Sequence, residues 1–345
     1  MVKDIQNIFE TWIKDDGEDF SGVFCLADES GILYQQVHGY RHMAEKLPNA
    51  ADTAFAIASG TKLFTALAVC KLIDQGKLSL DDKICDILSR DLGQIDKRVT
   101  ILHLLTHTSG VGDYVDEDAE DFDAMMTALR NTYPAHLWTN LEYYLQMITH
   151  LPQKFEPDAR YGYSNSGFIL LGLAVEAVSG MSYHKFVKDN IIMSCGMTHT
   201  DFYRSNALPP NTTPGHIYDE ETDTYRTNIF DVPIMGGADG GIYTTAPDLD
   251  KLWRNIFANK VLSEEMTQNF LKYQVTIDEE CGESYGLGIY RNEEQGNLSY
   301  YVMGVDEGVR CITAYFPQSK MVLTALGNKD VWLFDLLDEA FKVLK

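Results

Sequence analysis

The stretch FAIASGTKLFTALAVCKLIDQGKLSL, residues 55–80, begins as an apolar run and continues into a long helix that we predict to end near Gly76. Ser59 lies where this helix begins, and Lys62 follows at the spacing i, i+3, which places both side chains on one face. The positive end of a helix favours an anion developing on the serine. A lysine whose pKa is lowered can remove the serine proton, so the pair can act as nucleophile and base. Taken alone, S-x-x-K is more often a helix cap followed by a surface lysine.

Runs typical of β-strands lie on both sides of this helical region. SGVFCLAD and GILYQQVHGY, within residues 21–40, flank a predicted hairpin turn at residues 28–31. Near the other end of the chain, residues 285–328 contain four more runs typical of β-strands: YGLGIYRN, LSYYVMGV, GVRCITAYF and MVLTALGN. Residues 3–15 and 331–344 are amphipathic and predict a first and a last helix.

This order of elements predicts an α+β fold of the α/β sandwich type. We expect an antiparallel sheet built from both termini and flanked by helices, with a mainly helical lobe inserted. The predicted lobes are residues 1–58 together with 226–345, and residues 59–225, with the candidate catalytic residues at the interface.

Charge and composition narrow the classes of partner. The 345 residues carry a net charge of -23, from 51 acidic and 28 basic residues, so nucleic acids and anionic lipid surfaces are not expected to bind. A cationic substrate is compatible with this charge, although nothing in the composition requires one. Six cysteines occur without C-x-x-C spacing, and no window reaches 18 apolar residues. The acidic N-terminus has no apolar leader segment, and we therefore expect a cytoplasmic protein.

A second set of chemically useful side chains is Tyr163-Ser164-Asn165, just before a predicted buried helix over residues 167–179. A tyrosine oxygen beside an ammonium group can exist partly as phenolate or can shuttle a proton. The asparagine amide can orient a lysine or a substrate carbonyl. In isolation, the same segment is typical of a helix-capping loop.

Together, S-x-x-K at 59–62 and Y-S-N at 163–165 make the chain resemble the serine β-lactamase and penicillin-binding protein superfamily, in its class C-like branch. The segments LLTHTSGV (104–111), FEPDARYGYSNSGFILLGLAVEAVSGMSY (155–183) and GGADGGIYTTAPDLDKLW (236–253) extend the resemblance. It implies that Ser59 forms an acyl-enzyme while Lys62 and Tyr163 share the general-base work. Asn165 is implied to hold Lys62 and the substrate amide, and the backbone N–H of Ser59 to form half of an oxyanion hole.

The chain departs from this family in its third motif. Members normally carry K-T-G or H-x-G on a strand that borders the active site, and the matching segment is Val302-Met303-Gly304. The glycine still permits close approach of a substrate, and the N–H of Val305 is the implied second oxyanion donor. The missing cation weakens the expectation of β-lactam or D-Ala-D-Ala carboxylate recognition. Arg310 can replace that charge only if its strand directs it toward the site.

Three other patterns compete with this interpretation. Residues 282–286 match G-x-S-x-G, the nucleophile motif of α/β-hydrolases. Those enzymes need a helix directly after the serine and a histidine later in the chain, whereas here a β-like run follows and no later histidine occurs. His103 and His107 have zinc-ligand spacing without the glutamate of H-E-x-x-H. The glycine-rich residues 236–241 lack a GK[ST] ending and predict a tight turn near the active site.

The sequence therefore predicts a serine hydrolase that acts through an acyl-enzyme on a small ester or a peptide-like amide. One alternative is a true β-lactamase or D-Ala-D-Ala carboxypeptidase, and another is a non-catalytic ligand-binding homologue. We expect a small-molecule or peptide-like substrate, no cofactor and no metal, while the oligomeric state stays open. Residues 114–150 are predicted to form surface helices, and whether they cover the cleft as a lid is left open.

Overall fold

The computed structural model describes residues 1–15, 17, 19–294 and 296–344, without the side chain of Glu294. The strands are β1 (Gly22–Asp28), β2 (Gly31–His38), β3 (Tyr40–His42), β4 (Leu47–Pro48), β5 (Ala54–Ala56), β6 (Thr212–Thr213), β7 (His216–Asp219), β8 (Thr224–Thr227), β9 (Tyr243–Thr244), β10 (Val275–Asp278), β11 (Glu283–Tyr285), β12 (Tyr290–Glu294), β13 (Asn297–Asp306), β14 (Val309–Phe316) and β15 (Met321–Gly327). The α-helices are α1 (Val2–Asp15), α2 (Lys62–Asp74), α3 (Ile84–Leu88), α4 (Ile101–Leu105), α5 (Phe122–Thr132), α6 (Glu142–Ile148), α7 (Asn165–Ser179), α8 (Tyr183–Val187), α9 (Ala246–Phe257), α10 (Glu264–Leu271) and α11 (Phe334–Val343).

The main sheet has eight strands in the order β10-β11-β12-β13-β14-β15-β1-β2, and all its neighbours are antiparallel. The pairing of β1 with β15 joins the two ends of the chain within one sheet. At the predicted hairpin between β1 and β2, the backbone N–H of Ser30 donates to Asp28 Oδ1 over 2.7 Å. The predicted α+β fold, with an antiparallel sheet built from both termini, is confirmed.

The sheet is buried on both faces because helices cover each side. Along β1, Val23 and Cys25 point into one apolar core, whereas Phe24 and Leu26 point into the other. This alternation follows from the two-residue period of a strand. The outer core is closed by α1 and α11, and the larger inner core contains α2, α7 and α9. The predicted first and last helices therefore form one layer of the sandwich.

The middle of the chain is mainly helical, with α2 through α8 lying between residues 62 and 192. All strands of the main sheet come from residues 22–38 and 275–327. A small sheet in the order β6-β5-β9 connects the strand that precedes α2 to two later parts of the chain. The exact lobe boundaries, at residues 58–59 and 225–226, stay a prediction.

Two local predictions differ from the structure. The sequence ILHLLTHTSGV, residues 101–111, predicts a short helix that ends at Gly110, but the helix ends at Leu105, because His107 adopts a left-handed φ of 57° and the chain leaves the helix. The segment 114–150 does not lie wholly on the surface, since Tyr114, Trp138 and Tyr144 are buried and pack edge to face. Its aromatic side chains supply core volume, which outweighs the acidic composition around them.

No single helix in the described ranges has the length and apolarity of a membrane span. Helix α7 and the following segment Tyr183–Ile192, bent by 78° relative to each other, reach that length and composition only as a pair.

Candidate active site

Ser59 lies in a short 3-10 turn, Ala58–Thr61, that leads directly into α2. Its Oγ is 2.9 Å from Lys62 Nζ and 2.8 Å from the hydroxyl of Tyr163. The side chain borders a cavity of about 810 Å³ between the helical region and strand β13 of the main sheet. The structure thus brings together the three residues that the sequence singled out, although Tyr163 follows Ser59 by 104 positions.

Lys62 is buried and makes three short polar contacts. Its Nζ donates to Ser59 Oγ, to Asn165 Oδ1 over 2.7 Å and to the carbonyl oxygen of Asp239 over 2.9 Å. Burial lowers the pKa of Lys62, while the carboxylates of Asp239 and Glu117 oppose that shift. A lysine in this setting can release its proton more easily than one in water and can then accept the proton of Ser59.

Tyr163 is oriented by aromatic packing. Its ring lies 4.5 Å from the ring of His107, and Lys62 Nζ lies 4.8 Å from the centre of the tyrosine ring. Burial and the carboxylate of Glu117 raise the pKa of Tyr163 well above its ordinary value. The neutral phenol is therefore favoured over the phenolate. Of the two roles that the sequence left open for Tyr163, a proton shuttle fits this state better than a phenolate base does.

Asn165 is the first residue of α7, and its position is set by a buried carboxylate. Asp113 accepts the backbone N–H groups of Asn165 and Ser166 over 2.7 and 2.9 Å. The side-chain amide of Asn165 then donates to the carbonyl oxygen of Val115 and to Glu117 Oε1. With its oxygen on Lys62, Asn165 connects the lysine to the segment that precedes α5.

Gly304 brings strand β13 against the turn that holds Ser59. A Cβ atom at this position would lie 2.0 Å from the carbonyl oxygen of Ile57 and 2.9 Å from the backbone nitrogen of Ser59. Only glycine permits so close an approach of two backbones. The next residue, Val305, borders the cavity, which is where its N–H must lie to act as an oxyanion donor. That donor role stays a prediction.

Arg310 borders the cavity but does not supply a free charge in place of the absent third-motif cation. Its Nη2 pairs with Asp330 Oδ1 at 2.9 Å, and its Nη1 donates to the backbone oxygens of Asp306 and Val309. The hypothesis that Arg310 restores the missing charge is therefore not supported by the geometry, because the guanidinium is already neutralised.

The competing motifs have structural roles. Ser284 of G-x-S-x-G lies on strand β11, is buried, and donates to the carbonyl oxygen of Arg291. His103 caps α4 together with Thr100, and His107 Nδ1 accepts the backbone N–H of Ser164. No group of three or more potential metal-ligating side chains occurs among the described residues. The glycine-rich turn at 236–241 does lie beside the site, since it borders the cavity and presents a carbonyl to Lys62.

Three acidic residues near the site were not singled out by the sequence: Asp113, Glu117 and Asp239. The carboxylate of Asp239 accepts a hydrogen bond from the hydroxyl of Tyr114, and Asp113 holds the start of α7. Burial raises the pKa of Asp113 to about 7. Asp239 lies inside the motif segment 236–253 and Asp113 lies just after the segment 104–111, which is the signal that could have found them, whereas Glu117 lies outside both segments.

This fold, with a serine, a lysine and a tyrosine in contact beside a cavity, defines a serine hydrolase related to the β-lactamases. The family model described as Beta-lactamase matches residues 9–344, and the chain belongs to that family.

Individual relatives agree with this assignment. "Penicillin-binding protein 4*" of Bacillus subtilis is 29% identical over 341 residues, which cover 95% of this chain and 72% of the relative. The crystal structure of a penicillin-binding protein from Bacillus halodurans has a TM-score of 0.89 at 36% identity, and the match covers 99% of this chain and 100% of that protein's chain. An octameric penicillin-binding protein homologue from Pyrococcus abyssi has a TM-score of 0.81 at 25% identity, and the match covers 96% of this chain and 74% of the homologue.

Proposed function

We propose that Ser59 forms an acyl-enzyme with a small ester or a peptide-like amide. The observation that carries this proposal is the position of Ser59 Oγ, within hydrogen-bond reach of both Lys62 Nζ and the Tyr163 hydroxyl and open to the cavity. A nucleophile and its base in contact, with the base oriented by a third group, is the arrangement that covalent catalysis requires.

In the first half of the proposed reaction, Ser59 Oγ attacks the substrate carbonyl while its proton passes to Lys62. The backbone N–H groups of Ser59 and Val305 stabilise the oxyanion of the tetrahedral intermediate, an effect worth about 3 kcal/mol per donor in other enzymes. Tyr163, as a neutral phenol, passes its proton to the leaving alcohol or amine and takes up the proton that Lys62 received from Ser59, so that both groups return to their starting charge. Water then attacks the acyl-enzyme, and the same groups act in reverse order.

A true β-lactamase or D-Ala-D-Ala carboxypeptidase is less well supported, because these substrates present a carboxylate. The aligned segment Val302-Met303-Gly304 contains no cation, and the nearby guanidinium of Arg310 is paired with Asp330. A purely ligand-binding role does not explain why a lysine is buried in contact with a serine hydroxyl, since burying an ammonium group costs free energy.

The experiment compares wild type with Ser59→Ala using a p-nitrophenyl ester, nitrocefin and a fluorophosphonate probe. We expect the wild type to be labelled and to hydrolyse the ester with little turnover of nitrocefin, and Ser59→Ala to lose both activities. Ser284→Ala is the matched control, because it removes the serine of the competing motif and should leave labelling intact.

Labelling that persists in Ser59→Ala would remove Ser59 from the mechanism. A wild type that is inert to all three reagents favours the ligand-binding alternative, and efficient nitrocefin hydrolysis favours the β-lactamase alternative.

A further inference from the structure

The cavity beside Ser59 is strongly acidic. Seven of its lining side chains are carboxylic acids, whereas two are arginines. Both arginines are already paired: Arg310 with Asp330, and Arg130 with Glu307 at 3.3 Å and with Asp231 at 3.8 Å. An anionic substrate therefore meets no unpaired guanidinium among the described lining residues, and it would enter against a negative field.

Four of the seven carboxylates form no ion pair within the described part of the chain: Asp239 and Glu283, which each accept a hydrogen bond from a tyrosine hydroxyl, and Glu117 and Asp306, which do not. Glu117 accepts a hydrogen bond from the Asn165 amide over 3.2 Å, and Asp306 accepts one from the backbone N–H of Glu307 over 2.9 Å. A carboxylate has room for several further donors. Both side chains border the cavity, so the missing donors can come from a molecule inside it.

Two different parts of the chain bring these carboxylates to the cavity beside Ser59. Glu117 is reached from Ser59 through Lys62 and then Asn165, each in hydrogen-bond contact with the next. Asp306 lies two residues beyond Gly304 on β13, so it leaves the same face of the strand about 7 Å further along. Because Gly304 faces the backbone of Ser59, Asp306 lies on the side of the strand that faces the catalytic turn.

We propose that the acyl donor of this enzyme carries a protonated amine close to the scissile carbonyl, and that Glu117 and Asp306 bind this ammonium group. This inference rests on the proposed acyl-enzyme function and names the class of its substrate. Aromatic side chains, including Tyr203, Tyr243 and Tyr290, also line the cavity, and their ring faces attract cations. An ammonium partner would also compensate the burial that raises the pKa of Asp306 to about 7.

The test uses three p-nitroanilides that share the phenylalanyl group, each as the D and the L enantiomer. One has a free amino group, one is N-acetylated and neutral, and one is N-succinylated and anionic. At a pH between about 7, where Asp306 begins to ionise, and the pKa of the free amine, we expect kcat/KM for the ammonium compound to exceed that of the neutral one by about tenfold or more for at least one enantiomer. The anionic compound should be the poorest substrate.

Variants Glu117→Gln and Asp306→Asn test the assignment of the two carboxylates. Each should lower the ratio of kcat/KM between the ammonium and neutral compounds by about fivefold or more, and using a ratio cancels any shared effect on acylation. Glu29→Gln is the matched control, because it removes one exposed negative charge outside the cavity and should not change the ratio.

A direct binding measurement keeps the result independent of turnover. In Ser59→Ala, calorimetry should show tighter binding of phenylalanine amide than of N-acetylphenylalanine amide, and each carboxamide variant should reduce that difference. Thermal unfolding checks that every variant is folded.

Turnover of the neutral compound with no preference for the ammonium compound would overturn this inference and leave the proposed function standing. A preference that survives in both variants would overturn the assignment to Glu117 and Asp306. Inertness toward all compounds and toward the fluorophosphonate probe would contradict the proposed function itself, and this inference with it.

Discussion

Two helices on either side of the candidate active site are built in opposite ways: α2 follows Ser59 directly, and α5 lines the cavity. Helix α2, which begins next to Ser59, buries ten of its thirteen residues, including Lys62 itself. Helix α5 buries none of its residues, although Phe122, Met126 and Arg130 on it line the cavity. Helix α2 is therefore part of the core, whereas α5 is a surface element that lines the cavity.

The difference suggests separate roles for the two helices: α2 positions Lys62 beside Ser59, and α5 controls access to the cavity. A helix buried on all sides cannot shift without disturbing close-packed neighbours, so it holds a nucleophile and a base at constant separation. A helix with no buried side chain has little packing to lose when it moves. We therefore infer that α5 is the part of residues 114–150 that covers the cleft, with Arg130 attaching it to Glu307 and Asp231. Four predictions test this division.

The largest effect is expected at the buried helix α2, from Lys62→Met. Removing the amine deprives Ser59 of its proton acceptor, and kcat/KM for a p-nitrophenyl ester should fall by about 10²–10⁴-fold. Lys71→Met is the control on the same helix, because Lys71 Nζ donates to the carbonyl oxygen of Val261 away from the serine. A folded Lys62→Met protein that keeps a tenth of the activity would contradict the base role.

The next effect is steric, from Gly304→Ala. The new methyl group would overlap the carbonyl oxygen of Ile57 and push β13 away from the turn of Ser59. A displacement of about 1 Å at a catalytic centre costs on the order of 100-fold in rate, which steady-state kinetics will measure. Gly327→Ala is a matched control in the same sheet, since its Cβ would lie 3.6 Å from its nearest neighbours. Equal activity of the two variants would show that close approach at Gly304 is not needed.

A smaller effect concerns stability and pH at Asp306. Burial raises its pKa from 3.8 to about 7; Glu307 and Asp239 add to the rise, and Arg130 opposes it. The folded state thus holds a proton that the unfolded state releases, so this stabilisation is present below pH 4 and is lost as pH rises toward 7.

Asp306→Asn removes this penalty. The stability of this variant relative to wild type, taken as the difference in the free energy of unfolding, should be about 1–3 kcal/mol greater at pH 8 than at pH 5, as measured by urea denaturation at both values. Glu29→Gln, at an exposed position, should show no such difference. An identical pH dependence in wild type and Asp306→Asn would mean that Asp306 is ionised at both values.

The smallest effect is expected at the covering helix, from Arg130→Ala. Its ion pairs are partly exposed, so the loss in free energy of unfolding should stay below about 1 kcal/mol. Amide hydrogen exchange should nevertheless accelerate within residues 122–132 and remain unchanged in α2. Arg90→Ala, which removes an exposed ion pair with Glu142, should leave exchange in α5 as it is. Uniform acceleration in both helices would refute the division between them.

Much of the fold and part of the site could be predicted from local patterns. The spacing of Ser59 and Lys62 within one helical turn is a local property, and so are the hairpin at residues 28–31 and the apolar helix before Gly180. The early end of α4 was not predicted, because a left-handed residue at His107 has no sequence signal comparable to glycine. The cytoplasmic location remains a prediction.

The sequence by itself determined that a serine and a lysine share one face at the start of an apolar helix, and that strands near both termini can pair. Only the tertiary structure decided that Tyr163 meets Ser59, that Asp113 holds Asn165, and that Arg310 is neutralised while Glu117 and Asp306 are not. The physical reason is the distance along the chain over which each effect acts: helical and strand periodicity are set by residues only a few positions apart. Charge pairing and burial depend on which distant segments the closed sheet and its helices bring into contact.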